Sequence, residues 1–153
     1  TVIIKQIEKD GLDERLVAFL DRAQKYTVLL PSTLPSGICH MDYSKGNVLV
    51  ENGGDVSAVL DFDDMEAAPY AVCLGFALYH LILGEAGSDE WQKYLQQYQT
   101  TRKLNQEEIN ILPAVALFRH YFIGSLQIFN AHRGEEDITK YIAVENDLLN
   151  CLA

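Results

Sequence analysis

Positive charge is scarce in this sequence: 12 lysines and arginines stand against 22 aspartates and glutamates in 153 residues, a formal net charge of −10. A surface of that sign repels phosphate-rich polyanions, which argues against nucleic acid and anionic membrane as partners. Cationic small molecules suit it better, as do anions whose charge a bound metal carries. Cysteine is also rare. Cys39, Cys73 and Cys151 are odd in number, lie far apart and show neither a C-x-x-C pair nor a zinc-type spacing, so a disulfide framework is not expected and a cytoplasmic location is. The chain opens at Thr1 with no basic segment followed by an apolar one, so no signal peptide is visible, and the missing Met leads us to expect a fragment or a processed chain. Charge is absent altogether from residues 67–84, a run just long enough to raise the question of a membrane span. Pro69, Gly75, His80 and Gly84 interrupt it, and Asp61, Asp63, Asp64 and Glu66 precede it, so a buried core helix is expected instead.

What is present is 48% hydrophobic residues, enough for one core, and we read residues 1–153 as a single domain. Leu12, Leu16, Phe19, Leu20 and Ala23 recur at helical spacing behind Asp10 and Asp13, which predicts a first helix ending near Tyr26. Pro31 and Pro35 then impose an extended loop. Short strands are expected at residues 38–40, 47–51 and 56–62, the last two joined by Asn52-Gly53-Gly54-Asp55, a hairpin turn whose residues tolerate positive φ. Downstream of Pro69 everything reads as helix. The spacing predicts helices over 71–83, from Ser88 with Trp91, Tyr94, Leu95 and Tyr98 on one face, and from an Asn105/Glu108 capping box to about Ala131 with a kink near Pro113. A fifth is expected after Gly134, where Glu135, Glu136 and Asp137 read as first-turn acids. Strands and helices are segregated, so the fold class is α+β: mainly helical, with a small β-hairpin insert.

Residues that composition does not explain gather between positions 40 and 64: His40, Asp42, Lys45, Asn47, Asp61, Asp63 and Asp64. If the hairpin registers about residues 52–55, Asn47 and Asp61 come to the same end of the ladder. Two such oxygen donors suit Mg²⁺, which keeps several waters and is completed by substrate phosphates. Asp42, in the same loop, is placed to accept a hydroxyl proton or to orient a nucleophile. Taken alone, an Asp-rich turn is an ordinary solvated loop, and Asp63 and Asp64 read equally well as ligands or as solvated acids. Lys45 is equally a phosphate contact or a solvated lysine. His80 and His120, each on an apolar helix, read as core or rim residues rather than ligands. The Trp91/Tyr94/Tyr98 stripe reads as helix packing, although aromatics near a site mouth can cage a cation.

The string His40-Met41-Asp42-Tyr43-Ser44-Lys45-Gly46-Asn47, followed by Val59-Leu60-Asp61-Phe62-Asp63, resembles the H-x-D-x-x-x-x-N and I-D-F signatures of the aminoglycoside phosphotransferase and choline kinase group, to which homoserine and fructosamine kinases are related. The resemblance spans about residues 34–84. It implies the C-terminal lobe of a protein-kinase-like fold and transfer of the γ-phosphate of ATP, with Mg²⁺, to a hydroxyl of a small acceptor of aminoglycoside, choline or homoserine type, among which the acidic surface favours a cationic one. It implies that Asp42 is the catalytic base or nucleophile orienter, that Asn47 and Asp61 hold the metal of the nucleotide, and that His40 belongs to the catalytic loop as a structural member; Asp63 for the metal and Lys45 for phosphate are further candidates from our reading of the residues.

Two positions depart from the family pattern: Met41 stands where the family usually has Gly, and Cys73 where it commonly has Asp. Such a kinase also needs a β-rich nucleotide lobe with a phosphate-binding lysine. Lys5 in Val2-Ile3-Ile4-Lys5 lies too near Asp42 for that lobe to fit between them, so the nucleotide lobe is expected upstream as a partner and is missing from this chain. Two other readings compete. One is a non-catalytic kinase-like remnant serving as a binding module. The other rests on residues 58–63 (AVLDFD), which also resemble the D-x-D motif of haloacid-dehalogenase-like phosphatases; there Asp61 would be a phosphate-accepting nucleophile and Asp63 the acid/base, in an alternating α/β fold. Fluoroberyllate, which mimics a phosphoaspartate, separates the chemistries. The kinase reading predicts no Mg²⁺-dependent thermal shift with fluoroberyllate; a clear shift would reverse the order of the two.

Overall fold

The computed structural model describes residues 14–83, 88–132 and 145. Among them are helices α1 (Glu14–Lys25), α2 (Tyr70–Leu83), α3 (Ser88–Thr101) and α4 (Gln106–His132). Strands β1 (Ser36–Cys39), β2 (Val48–Val50), β3 (Val56–Val59) and β4 (Glu66–Pro69) lie between α1 and α2. The architecture is therefore α+β, with the strands confined to one stretch. No strand follows Pro69 among the described residues, so the alternating arrangement a dehalogenase-like phosphatase needs is not seen there. Asp10, Leu12, Asp13, Lys5, Cys151 and the helix expected after Gly134 lie outside the described residues, apart from Glu145, which is helical.

The chain divides into two compact units, one running from Leu29 to Ala116 and the other formed by the stretches up to Val28 and from Leu117 onward. In the first, β2 and β3 form the expected antiparallel hairpin, with Val48 opposite Val59 and Leu49 opposite Ala58, and a bulge before Val50 meets Val56. The turn closes through Gly54 N–H to the Glu51 carbonyl (2.9 Å), and Gly54 adopts φ +90°, which asks for glycine. Strand β4 is not legible in the sequence. Its Glu-Ala-Ala-Pro has little β propensity, and it is extended because β1 supplies a partner, with Gly37 opposite Ala68 and Cys39 opposite Glu66.

Helix α2 follows at once. Ala71, Leu74, Phe76, Ala77, Leu78 and Tyr79 are buried, as a helix apolar on every face requires, and its 14 residues are fewer than a membrane span needs. A Cβ on Gly75 would sit 2.6 Å from Val115 Cγ1, so the glycine is what lets α2 approach α4 there. The capping box at the start of α4 forms in full: Asn105 Oδ1 accepts from Glu108 N–H (2.9 Å) and Glu108 Oε2 accepts from Asn105 N–H (3.0 Å). Glu108 also pairs with Arg102, whose guanidinium lies 4.7 Å over the Tyr70 ring. Tyr70 in turn packs its hydroxyl against Gly37, where even a methyl group would clash. This relay anchors β1, the strand that leads into the loop beginning at His40.

In the other unit Phe19 is fully buried against the rings of His120 (5.5 Å, edge-on) and Tyr121 (5.4 Å). Glu145 accepts from Arg22 Nε (2.8 Å) and from the Tyr121 hydroxyl (2.6 Å). Burial alone would raise its pKa, but the Arg22 and Tyr121 hydrogen bonds outweigh burial and hold the carboxyl below its usual range. Burial, reinforced by the bond to Glu145, pushes the Tyr121 phenol up to about 12. His120 is a core residue, as its apolar surroundings in the sequence suggest, and burial lowers its pKa from 6.5 to about 4 against the opposing pull of Glu145. The unfolded chain takes up that proton near pH 6.5 while the folded chain resists until about 4, so this contribution is intact above pH 6.5 and is lost as pH falls to 4. The expected loss is up to about 3 kcal/mol. Denaturant unfolding of the wild type and His120→Leu across this range should show their stability difference shifting against the wild type as pH falls; a pH-independent difference would contradict it.

Candidate active site

Two loops lie side by side because two ladders end together. The β1–β4 ladder ends with Cys39 opposite Glu66, and the β2–β3 ladder is extended by Leu60 N–H donating to the Asn47 carbonyl (2.8 Å). Residues 40–47 lead from the first ladder to the second, and residues 60–65 lead back. His40 ties them together. Its Nε2 lies 2.8 Å from the Leu60 carbonyl oxygen, which can only accept, so Nε2 carries the hydrogen; Nδ1 then accepts from Asp42 N–H at a longer 3.4 Å. The ring packs against Phe62 (4.8 Å) and Tyr43 (6.1 Å). Both imidazole nitrogens thus face backbone.

Within the loop, Asn47 Nδ2 donates to the Asp42 carbonyl (2.8 Å) and to Asp42 Oδ2 (3.0 Å). The amide hydrogens are spent on Asp42, which fixes the side chain with its Oδ1 available as a hard oxygen donor. Asp61 follows directly on Leu60, the residue bonded to Asn47 across the ladder, and its side chain is exposed. Its φ of +61° is left-handed, a conformation aspartate tolerates. Among the described residues no three His, Cys, Asp or Glu side chains gather closely enough to hold a metal ion. Asn47 carries an amide oxygen and Asp61 a carboxylate, hard donors of the type that Mg²⁺ takes, on the two adjoining loops. Asp63 and Asp64 are exposed in the turn beyond. Lys45 is exposed in the short 3₁₀ turn Lys45–Asn47 and lines a cavity of about 260 Å³ with Tyr43, Ser44, Val48, His80 and Tyr94.

The sequence did not single out His80 for this site. Its Nε2 reaches 3.5 Å from Asp42 Oδ1, both side chains being about a quarter exposed. The signal that could have found it is helical spacing: Cys73, Ala77 and His80 share one face of α2, and that face lines the cavities beside the loop. A neighbouring cavity of about 270 Å³ is lined by His40, Tyr43, Tyr70, Tyr94 and Tyr98, with Cys39 and Cys73. Of the α3 stripe, Trp91 and Leu95 are buried in the core, while Tyr94 and Tyr98 open onto this cavity. Burial pushes the Cys39 thiol up, with a smaller contribution from adjacent Cys73, and burial likewise raises Tyr94.

A model of the phosphotransferase enzyme family (APH) matches residues 5–109. The chain belongs to this family. It is similar to a homoserine kinase from Chelativorans sp. (strain BNC1), 35% identical over 96 residues that cover 56% of this chain and 27% of that protein. It is also similar to a homoserine kinase from Sinorhizobium fredii (strain NBRC 101917 / NGR234), 31% identical over 112 residues covering 71% and 33%. The chain therefore spans about a third or less of these relatives. Among solved structures, an amicoumacin kinase in complex with AMP-PNP, Ca2+ and Ami superposes with a TM-score of 0.61 at 17% identity, covering 91% of this chain and 44% of that one. That likeness shows a shared kinase-like fold.

Glycine at position 41, which the resemblance leads us to expect, would have a backbone reason here. Met41 adopts φ +66°, which costs a residue with a Cβ about 1–2 kcal/mol relative to glycine. Met41→Gly should accordingly be more stable than Met41→Ala by about 1 kcal/mol, since both remove the side chain and differ only in tolerance of that φ. Thermal unfolding of the two variants checks this; the usual order, with alanine more stable, would contradict the conformation at position 41.

Proposed function

We propose that the full-length protein containing this chain transfers the γ-phosphate of ATP to a hydroxyl of a small molecule, with Asp42 as the residue that receives the hydroxyl. The observation that carries the reading is the double hydrogen bond from the Asn47 amide to Asp42, which joins a carboxylate and a cation-donor oxygen within one loop. Asp42 orients the attacking oxygen and takes up its proton as the new O–P bond forms and the bond to ADP breaks. Asn47 Oδ1 and Asp61 would hold a divalent ion, with Asp63 and Lys45 as outer candidates for metal and phosphate. When bound, Mg²⁺ neutralises charge on the phosphates. His40 keeps the loop in place through its backbone bonds and is not the base.

Leu49, Leu60 and Phe62 are exposed beside these residues, an apolar surface suited to a nucleotide base and a covering lobe. A nucleotide-binding lobe N-terminal to this segment completes the enzyme in this reading, in the cytoplasm where ATP is available. The two homoserine kinase relatives favour a homoserine-type acceptor over the aminoglycoside and choline types. Incubating the full-length protein with Mg-ATP and a panel of alcohols that starts with homoserine should give ADP release with at least one acceptor. Asp42→Ala should then lower kcat by about 10²–10⁴-fold, with the melting temperature little changed. Comparable activity in Asp42→Ala would refute the role of Asp42. A wild type inactive on every acceptor would favour the binding-module reading, which the departure at Cys73 motivates.

A further inference from the structure

The Asp42 carboxylate is approached from two elements. From its own loop, Asn47 Nδ2 donates to Oδ2 at 3.0 Å; from helix α2, His80 Nε2 stands 3.5 Å from Oδ1. Its setting is made by α2: Ala77, one turn earlier on the same face, lines both cavities beside the loop together with Tyr43, and His80 lies where the face meets the cavity shared with Lys45. Among the described residues, the ionisable groups that line the cavity or contact the imidazole are Asp42, Tyr43 and Lys45 from the loop, Tyr94 from α3 and the Tyr79 ring, 5.2 Å away on α2 itself. Asp42 is the only carboxylate among them.

We propose that His80 is a positioning residue for Asp42, gripping Oδ1 from helix α2 while Asn47 grips Oδ2 from the loop. The inference rests on the phosphotransfer reading above. A carboxylate held at one oxygen still turns about its Cβ–Cγ bond, and one held at both does not. Each carboxylate oxygen has two lone pairs, so a donor on each leaves room for a substrate hydroxyl. An Nε2–H is present in one neutral tautomer and in the cation, so the grip does not require His80 to be charged. A 3.5 Å separation is long for a hydrogen bond, and such contacts in unliganded sites tighten when the reacting complex forms. Carboxylate orientation matters because small misplacements at a reacting centre cost rate rather than binding.

The contact can be read separately from activity. In the full-length protein, NMR titration of the His80 ring should give a midpoint that falls by about one unit on Asp42→Asn, because a nearby carboxylate favours the imidazolium. An unchanged midpoint would overturn the proposal. In the kinase assay, His80→Phe, which keeps a ring but no donor, should lower kcat by about 10–100-fold with KM little changed, by analogy with other outer-shell partners of catalytic groups. His80→Gln, which restores an N–H, should recover most of that loss. Equal activity of His80→Phe and wild type, or a loss confined to KM, would also overturn it. A titration shift without any phosphotransfer in the wild type would count against the functional reading and leave the contact standing, so the two failures are distinct.

Discussion

The His40 imidazole holds two loops that would otherwise be independent. One nitrogen takes the Leu60 carbonyl at 2.8 Å and the other meets the Asp42 N–H, so the stretch that carries Asp42 and Asn47 is fastened to the stretch that carries Asp61. The backbone bond from Leu60 N–H to the Asn47 carbonyl repeats the fastening at the same residue. Without these bonds, the short ladders on either side would bring the loops near each other but would not fix them. Among the described residues, the two non-glycine residues in left-handed backbone, Met41 and Asp61, both lie in these loops.

Behind the loops, the helices supply stiffness through one connected set of contacts. The capping box at Asn105 and Glu108 orients Glu108, which holds Arg102, which lies over Tyr70, which fills the space left by Gly37 on the strand leading to His40. A buried glutamate that caps a helix and pairs with an arginine is satisfied twice over, and that makes its burial tolerable. The same stretch of structure therefore supports the helix start and the strand before the candidate site.

The hairpin, its turn and the capping box were legible because each is a local code: Asn-Gly-Gly-Asp for a turn, Asn-x-x-Glu for a cap. The convergence of Asn47 and the start of the second loop followed from the hairpin alone, since register is fixed once the turn is known. Strand β4 was not legible, because Glu66-Ala67-Ala68-Pro69 is extended only by virtue of its long-range partner. His80 was missed for a related reason. A histidine on an apolar helix reads as core, and only the packing of α2 against the loop reveals a carboxylate beside it. Membership of the phosphotransferase enzyme family agrees with the motifs at residues 40–47 and 59–63, while the roles we assign to individual side chains rest on their bonds.

In the proposed mechanism the Asn47 amide oxygen and the Asp61 carboxylate serve one cation. A double-mutant cycle measures this directly: Mn²⁺ affinity of the full-length protein with AMP-PNP present, for wild type, Asn47→Ala, Asp61→Ala and the double variant. Two ligands of one ion are coupled, so the account predicts that the double variant binds little more weakly than the worse single variant. Losses that simply add would mean that the two residues act at separate places, and would contradict it.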